Sequence, residues 1–158
     1  MAEFLLFDAN PDNEAQLTRS GYRHIIAAVS ARDEEERTLF TTKIANCGTG
    51  ASLYRENTVF HANENLDMRK AVTARLDTLV AKNKLNHAQL IKIDVQGAEL
   101  DVLNGGSSVI GQADYVLIAE IVEVERFEQQ GSEHVQRLAD ELAHLISNRG
   151  MLVVRPVL

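Results

Sequence analysis

Three acids accompany the apolar runs of this 158-residue chain. They are Asp8 after Phe4-Leu5-Leu6-Phe7, Asp94 after Leu90-Ile91-Lys92-Ile93, and Glu120 within Tyr115 to Val122. Continuous apolar runs of this length read as buried strands. In open α/β sheets, ligands bind outside the carboxyl ends of the strands. A carboxylate at such an end accepts two hydroxyl hydrogen bonds at once, as from the ribose of a nucleotide cofactor. Asp8 suits that role; the plainer alternative is an acid favoured by a helix dipole. Asp94-Val95-Gln96-Gly97-Ala98-Glu99 is the densest polar cluster at a strand end, and Gly97 permits close backbone approach or positive φ. Either Asp94 and Glu99 both face the cleft, or Asp94 is a turn acceptor and Glu99 a first-turn helix acid.

Other polar features carry weaker signals. Gly48-Thr49-Gly50 reads as a flexible turn, since a lone Gly-x-Gly in a polar loop has little specificity. Cys47 has no cationic neighbour in sequence to lower its pKa and reads as an idle thiol. Glu123, Glu125, Arg126 and Glu128 read as a solvated face.

The elements that must position the acids alternate in type. Residues 4–7 are a strand, with Asn10 a helix N-cap, Pro11 the first helical residue and Gly21 the end of a short helix. His24 to Val29 is a second strand. Arg37 to Ile44 alternates like an exposed antiparallel strand. Val72 to Leu76 reads as a short strand, and Asp77 as the cap of a helix over Thr78 to Lys82. The clearest strand, Leu90 to Val95, breaks at Gln96-Gly97 and leads to a helix over Ala98 to Leu103, closed by Gly105-Gly106. Tyr115 to Ile121 is another buried strand. Ser132 caps a helix with an apolar face at Val135, Leu138, Leu142, Leu145 and Ile146. Gly150 ends it before a last strand at Met151 to Val154. This order implies one α/β domain over residues 1–158, with a mostly parallel sheet flanked by helices.

Composition narrows the functions. Sixteen Lys+Arg against 23 Asp+Glu give a net charge of −7, a poor basis for binding nucleic acid or an anionic membrane. Aromatics are only 5% and Trp is absent, which argues against a base-stacking platform. No apolar run approaches the ~18 residues of a membrane span. The N-terminus has no cationic segment and no small-residue cleavage site, so the expected compartment is the cytoplasm. With one cysteine, no internal disulfide forms. The five histidines make neither His-Glu-x-x-His nor a Cys/His ligand pair, so no metal is expected.

Leu90-Ile-Lys-Ile-Asp-Val-Gln-Gly-Ala-Glu-Leu-Asp-Val-Leu-Asn-Gly-Gly106 closely resembles the signature of FkbM-type methyltransferases, which usually reads Lys-Ile-Asp-Val-Glu-Gly-Ala-Glu. Phe7 to Pro11, Ala27 to Ser30, Gly48 to Leu53 and Arg75 to Leu79 are similar to further family segments in the same order. The resemblance implies a class I Rossmann-like fold, S-adenosylmethionine as cofactor, and methyl transfer to a hydroxyl of a sugar or small molecule. It implies that Asp8, with Asn10 beside it, binds the cofactor ribose and that Ala28 and Val29 lie by the adenine. Asp94 would lie beside methyl donor and acceptor, with Gln96 and Glu99 lining the substrate cleft. Asp94 is then the candidate base, with Glu99 and Glu120 supporting catalysis.

Two departures from the family pattern matter. Gln96 stands where the family has Glu, and a neutral amide cannot take a proton or balance a cation. The family's first strand and Gly-rich loop, Asp-x-Gly-x-x-x-Gly, precede its Asp8 segment; here seven residues precede Asp8 and none is Gly. The expected fold therefore lacks its first central strand, in a truncated methyltransferase. The strands at 4–7 and 90–95 would then pair directly or be completed by another chain, for instance in a homodimer through exposed sheet edges. The competing reading is a non-catalytic methyltransferase-like remnant that dimerises or binds a partner.

Overall fold

In the structure, a computed structural model described over residues 4–44, 51–85 and 87–118, strands and short helices alternate. Strand β1 (Leu5–Asp8) leads through a 3-10 turn at Pro11–Asn13 into helix α1 (Glu14–Ser20). The entry is encoded locally. The Asn10 side chain accepts from the Asp12 N–H at 3.1 Å, and Pro11 sits where no N–H is needed. Gly21 ends α1 at φ +76°, its N–H bonding back to the Thr18 carbonyl at 3.2 Å.

The stretch read as one strand over His24 to Val29 is two. Strand β2 (Arg23–Ile26) pairs in parallel with β1, and β3 (Ala28–Val29) pairs in parallel with β5 (Leu66–Ala74). Between them, the Ala27 N–H still reaches the Asp8 carbonyl at 2.9 Å. Strand β4 (Glu36–Thr42) runs antiparallel to β5, from Glu36 opposite Val72 to Thr42 opposite Leu66. The alternation expected of β4 holds, with Leu39 and Thr41 buried. Strand β5 is longer than the stretch read over Val72 to Leu76. It starts at Leu66, and Leu76 instead opens helix α2 (Leu76–Lys82). Charged residues at 67, 69 and 70 hid the earlier half, yet β4 supplies their backbone partners and leaves one face to solvent.

Strand β6 (Leu90–Ile93) pairs in parallel with β7 (Tyr115–Ile118). Helix α3 (Glu99–Gly105) and helix α4 (Ser107–Gln112) connect them. As expected, α3 closes at Gly105-Gly106, with Gly105 its last residue and Gly106 its cap; a Cβ at Gly105 would collide with the Ser30 carbonyl oxygen. That close approach fastens α3 against the end of β3. The expected buried strand over Tyr115 to Ile121 is exposed at Tyr115 and fully buried at Ile118.

Asp77 does not cap its own helix as the sequence reading predicts. Its carboxylate accepts from the N–H groups of Ser108 (3.4 Å) and Val109 (3.0 Å) in the first turn of α4, and from Arg75 at 3.1 Å. Asp33 serves α2 instead, accepting from the Arg75 N–H at 2.8 Å and the Thr78 hydroxyl at 2.7 Å. These bonds hold the Asp33 carboxyl below its ordinary range, led by the Arg75 N–H. Helix N-termini carry four unpaired N–H groups, and any well-placed acid can satisfy them.

The fold is α/β, but the single mostly parallel sheet is not formed among the described residues. The ladders form three small sheets, β1–β2, β3–β5–β4 and β6–β7, of which only β4–β5 is antiparallel. No ladder joins β1 to β6 among the described residues, so the expected direct pairing of those strands is absent. One apolar core holds Leu76, Ile93, Leu100, Val102, Leu103 and Ile118, with Phe7 and Val29 packed against it. A second gathers Ala28, Leu39, Leu53 and Ala98. Val95 touches both, which carries the strand-end turn between two packed bodies. Glu120, Cys47, the Gly48 to Gly50 loop, the charge run from Glu123, the helix after Ser132 and the strand from Met151 lie outside the described residues. Among the described residues, no helix is long and apolar enough to cross a membrane.

Candidate functional site

The carboxyl ends of β1, β3 and β6 open onto one cleft of ≈ 270 Å³. Ligand pockets run ~300–1,000 Å³, so this one falls just below that range. Its lining comes from five parts of the chain. Phe7, Asp8, Ala9 and Asn13 belong to the end of β1 and the turn after it; Ala27, Ala28 and Val29 to the β2–β3 passage. Leu39 on β4 and the Ala51–Leu53 segment add a largely apolar stretch, and Asp94, Val95, Gln96 and Ala98 complete it.

Five residues singled out in the sequence therefore meet here: Asp8, Ala28, Val29, Asp94 and Gln96. Two do not line the cleft. Asn10 is buried and occupied as the cap of the 3-10 turn. Glu99 has no exposed surface, and its Oε1 accepts from the N–H groups of Val95 (3.3 Å) and Gly97 (3.2 Å). Its carboxylate thus folds back onto the turn rather than outward. Among the lining residues the sequence reading passed over, Ser52 and Asn13 are polar. Ser52 lies within the Gly48 to Leu53 segment that resembles the family, which is its one signal.

The two aspartates differ in surroundings. Asp8 Oδ1 accepts from the Asn10 N–H at 2.8 Å, and Oδ2 from the Asn13 side-chain amide at 2.8 Å. An ionised carboxylate offers about four lone-pair positions, so both oxygens keep acceptor capacity for a ligand's hydroxyls. Asp94 Oδ2 receives the Lys92 ammonium at 2.8 Å and Oδ1 the Gln96 amide at 3.3 Å; its side chain is 38% exposed. A pair this exposed orients more than it stabilises.

The turn after Asp94 is strained. Gln96 has φ +52° and Gly97 φ +93°, two successive residues in the left-handed region. Glycine accepts this freely; glutamine does so only when its surroundings hold it there. Ser52 supplies one such tie, its hydroxyl donating to the Gln96 carbonyl at 2.6 Å. Among the described residues, no cluster of His, Cys, Asp or Glu is arranged to hold a metal ion.

Acids at two strand ends around a cleft stand where α/β folds that bind ligands place them. The particular family follows from comparison: the sequence model of the methyltransferase FkbM domain matches residues 2–150, and the chain belongs to that family. No curated protein and no solved structure matches the chain.

Proposed function

We propose that this chain binds S-adenosylmethionine in the cleft and transfers its methyl group to a hydroxyl oxygen of a sugar or another small molecule. The observation that carries the reading is the meeting of Asp8, Ala28, Val29, Asp94 and Gln96 around one cleft in a methyltransferase-family chain. The residues suit the cofactor by chemical type. Asp8 retains acceptors for ribose hydroxyls, and Ala27, Ala28 and Val29 offer an apolar surface to adenine. Asn10 and Asn13 orient Asp8.

When bound, the cofactor supplies an electrophilic methyl group on a sulfonium. The rest of the work falls to the chain. Asp94 would take the proton of the acceptor's hydroxyl, whose oxygen would receive the methyl group as the sulfonium's S–CH3 bond breaks to leave a neutral thioether, while Lys92 and Gln96 fix the direction of the two Asp94 oxygens. Gln96 contacts the acceptor through its amide. Glu99 acts from beneath, by holding the turn that presents both. Glu120 remains the second candidate for the proton.

Calorimetric titration of the full chain with S-adenosylmethionine and S-adenosylhomocysteine tests this. The expected dissociation constant is below ~1 mM, roughly 4 kcal/mol of binding, and Asp8→Ala abolishes it. A folded chain that binds neither compound overturns the reading. The same sample then decides for a second one, a non-catalytic module that dimerises through its sheet edges. That alternative draws on β1 and β6, each with a ladder on one side only among the described residues, and on exposed Leu90 (60%) beside Tyr115 (72%). A mass that doubles with concentration, without cofactor binding, supports it.

A further inference from the structure

The left-handed conformation of Gln96 needs a cause outside its own turn. Glu99 ties down the N–H groups of Val95 and Gly97, which are donors on either side of Gln96. The Gln96 carbonyl is taken from elsewhere in the chain, by Ser52 at 2.6 Å. Ser52 is 2% exposed and lines the cleft. Its own position is fixed twice. Its backbone exchanges hydrogen bonds with Phe40 on β4, N–H to carbonyl in both directions at 2.9 and 2.8 Å. Its Oγ accepts from the Tyr54 N–H at 2.9 Å, which turns the hydroxyl proton toward Gln96. Two residues on, the Tyr54 hydroxyl donates to Asp101 of α3 at 2.9 Å. The Arg37 guanidinium lies 5.3 Å from the centre of the Tyr54 ring and 3.7 Å from Asp101. The 52–54 segment is thereby fastened to β4 on one side, and on the other to both the turn after β6 and the helix that follows it.

We propose that Ser52 is a positioning residue of the cleft: its hydroxyl, held by β4 and Tyr54, clamps the Gln96 carbonyl and sets the turn that presents Asp94 and Gln96 to a ligand. The clamp itself is a claim about the chain; that its ligand is the methyl donor rests on the proposed function. The clamp explains why a glutamine tolerates φ +52° at this place. It also couples the apolar side of the cleft, from β4, to its polar side, from β6.

The test is residue-resolved amide hydrogen exchange on the full chain, wild type against Ser52→Ala, with S-adenosylhomocysteine titrated into each. Losing one buried hydrogen bond should speed exchange at residues 95–98 by about ten-fold while β5 amides keep their rates. Ligand affinity should fall by a similar factor. In a Gln96→Gly background, where the left-handed conformation has no strain to hold, Ser52→Ala should change exchange at residues 95–98 less than two-fold. If Ser52→Ala fails to fold, Ser52→Cys, whose thiol is a weak donor, should give the same local loosening. Unchanged exchange at 95–98, or equal acceleration everywhere, overturns the clamp. Local loosening in a chain whose wild type binds no S-adenosylhomocysteine upholds the clamp and overturns the methyl-donor reading.

Discussion

Two strand-to-helix turns bring an aspartate to the same cleft, one after β1 and one after β6, and they are held in different ways. The turn after β1 is held mainly by its own residues. Asp8 bonds the backbone of Asn10 and the side chain of Asn13, and Asn10 bonds Asp12, all within five residues; from farther away the Arg69 guanidinium pairs with the exposed Asp12 carboxylate at 2.8 Å, and the Ala27 N–H reaches the Asp8 carbonyl at 2.9 Å. The turn after β6 passes through two left-handed residues and borrows support from Glu99, four residues from Val95, and from Ser52, forty-four residues from Gln96. The carboxylate and caps of the first turn are set by its own residues, and the exposed Arg69–Asp12 pair adds little to them. Distant support makes the second turn answer to β4, to α3 and to whatever shifts them.

The largest effect that sharpens this contrast is expected at Gly105. Gly105→Ala drives a methyl group into the Ser30 backbone, where no side chain can yield, and separates α3 from β3. A loss of about 3 kcal/mol or more in urea unfolding is expected. A loss under about 1 kcal/mol would mean that α3 is free to slide and that the second turn needs no fixed helix beneath it. Glu99→Ala comes next. It strips a buried carboxylate from two N–H groups, and should cost about 2–3 kcal/mol. Asp8→Ala, by contrast, removes two part-buried local hydrogen bonds and should cost only ~1 kcal/mol of stability while abolishing cofactor binding. Equal losses at Asp8 and Glu99 would break the distinction between the two turns.

The smallest effect is a pH dependence. Burial pushes the Tyr54 hydroxyl up to about 12 from its ordinary 10.0, and the neighbouring charge of Asp101 adds to the rise. Folding therefore favours the protonated phenol. Its contribution is complete below pH 10 and is lost as pH climbs through 12. Denaturation midpoints should fall across that window in the wild type and less steeply in Tyr54→Phe. Identical slopes would detach Tyr54 from the support of the second turn.

Much of the first region was legible from residues in order. Asn10-Pro11 and Gly21 act within one turn of themselves, so their types alone announced a helix start and stop. Leu90 to Ile93 was legible because a short apolar run has few other uses. Legibility failed where the partner was distant. Leu66 to Ala71 has the composition of a loop, and becomes strand because β4 lies alongside. Gly105-Gly106 looks like a helix end and is one, but the sequence does not reveal that Gly105 also lets the Ser30 carbonyl approach. Asp77 carries the mark of an N-cap, but satisfies α4 rather than α2. Glu99 was expected to line the substrate cleft, whereas it is fully buried and its bonds turn inward, which spacing does not reveal.

The sequence by itself determined the alternation of strands and helices, the family, and the acids at the ends of β1 and β6, because each depends on residue type and near neighbours. Only the tertiary structure decided which of those residues share a cleft, that Glu99 turns inward, and that Ser52 holds Gln96. Those outcomes depend on groups tens of residues apart meeting within a hydrogen bond's length, and such a meeting is fixed by packing rather than by any local preference of the chain.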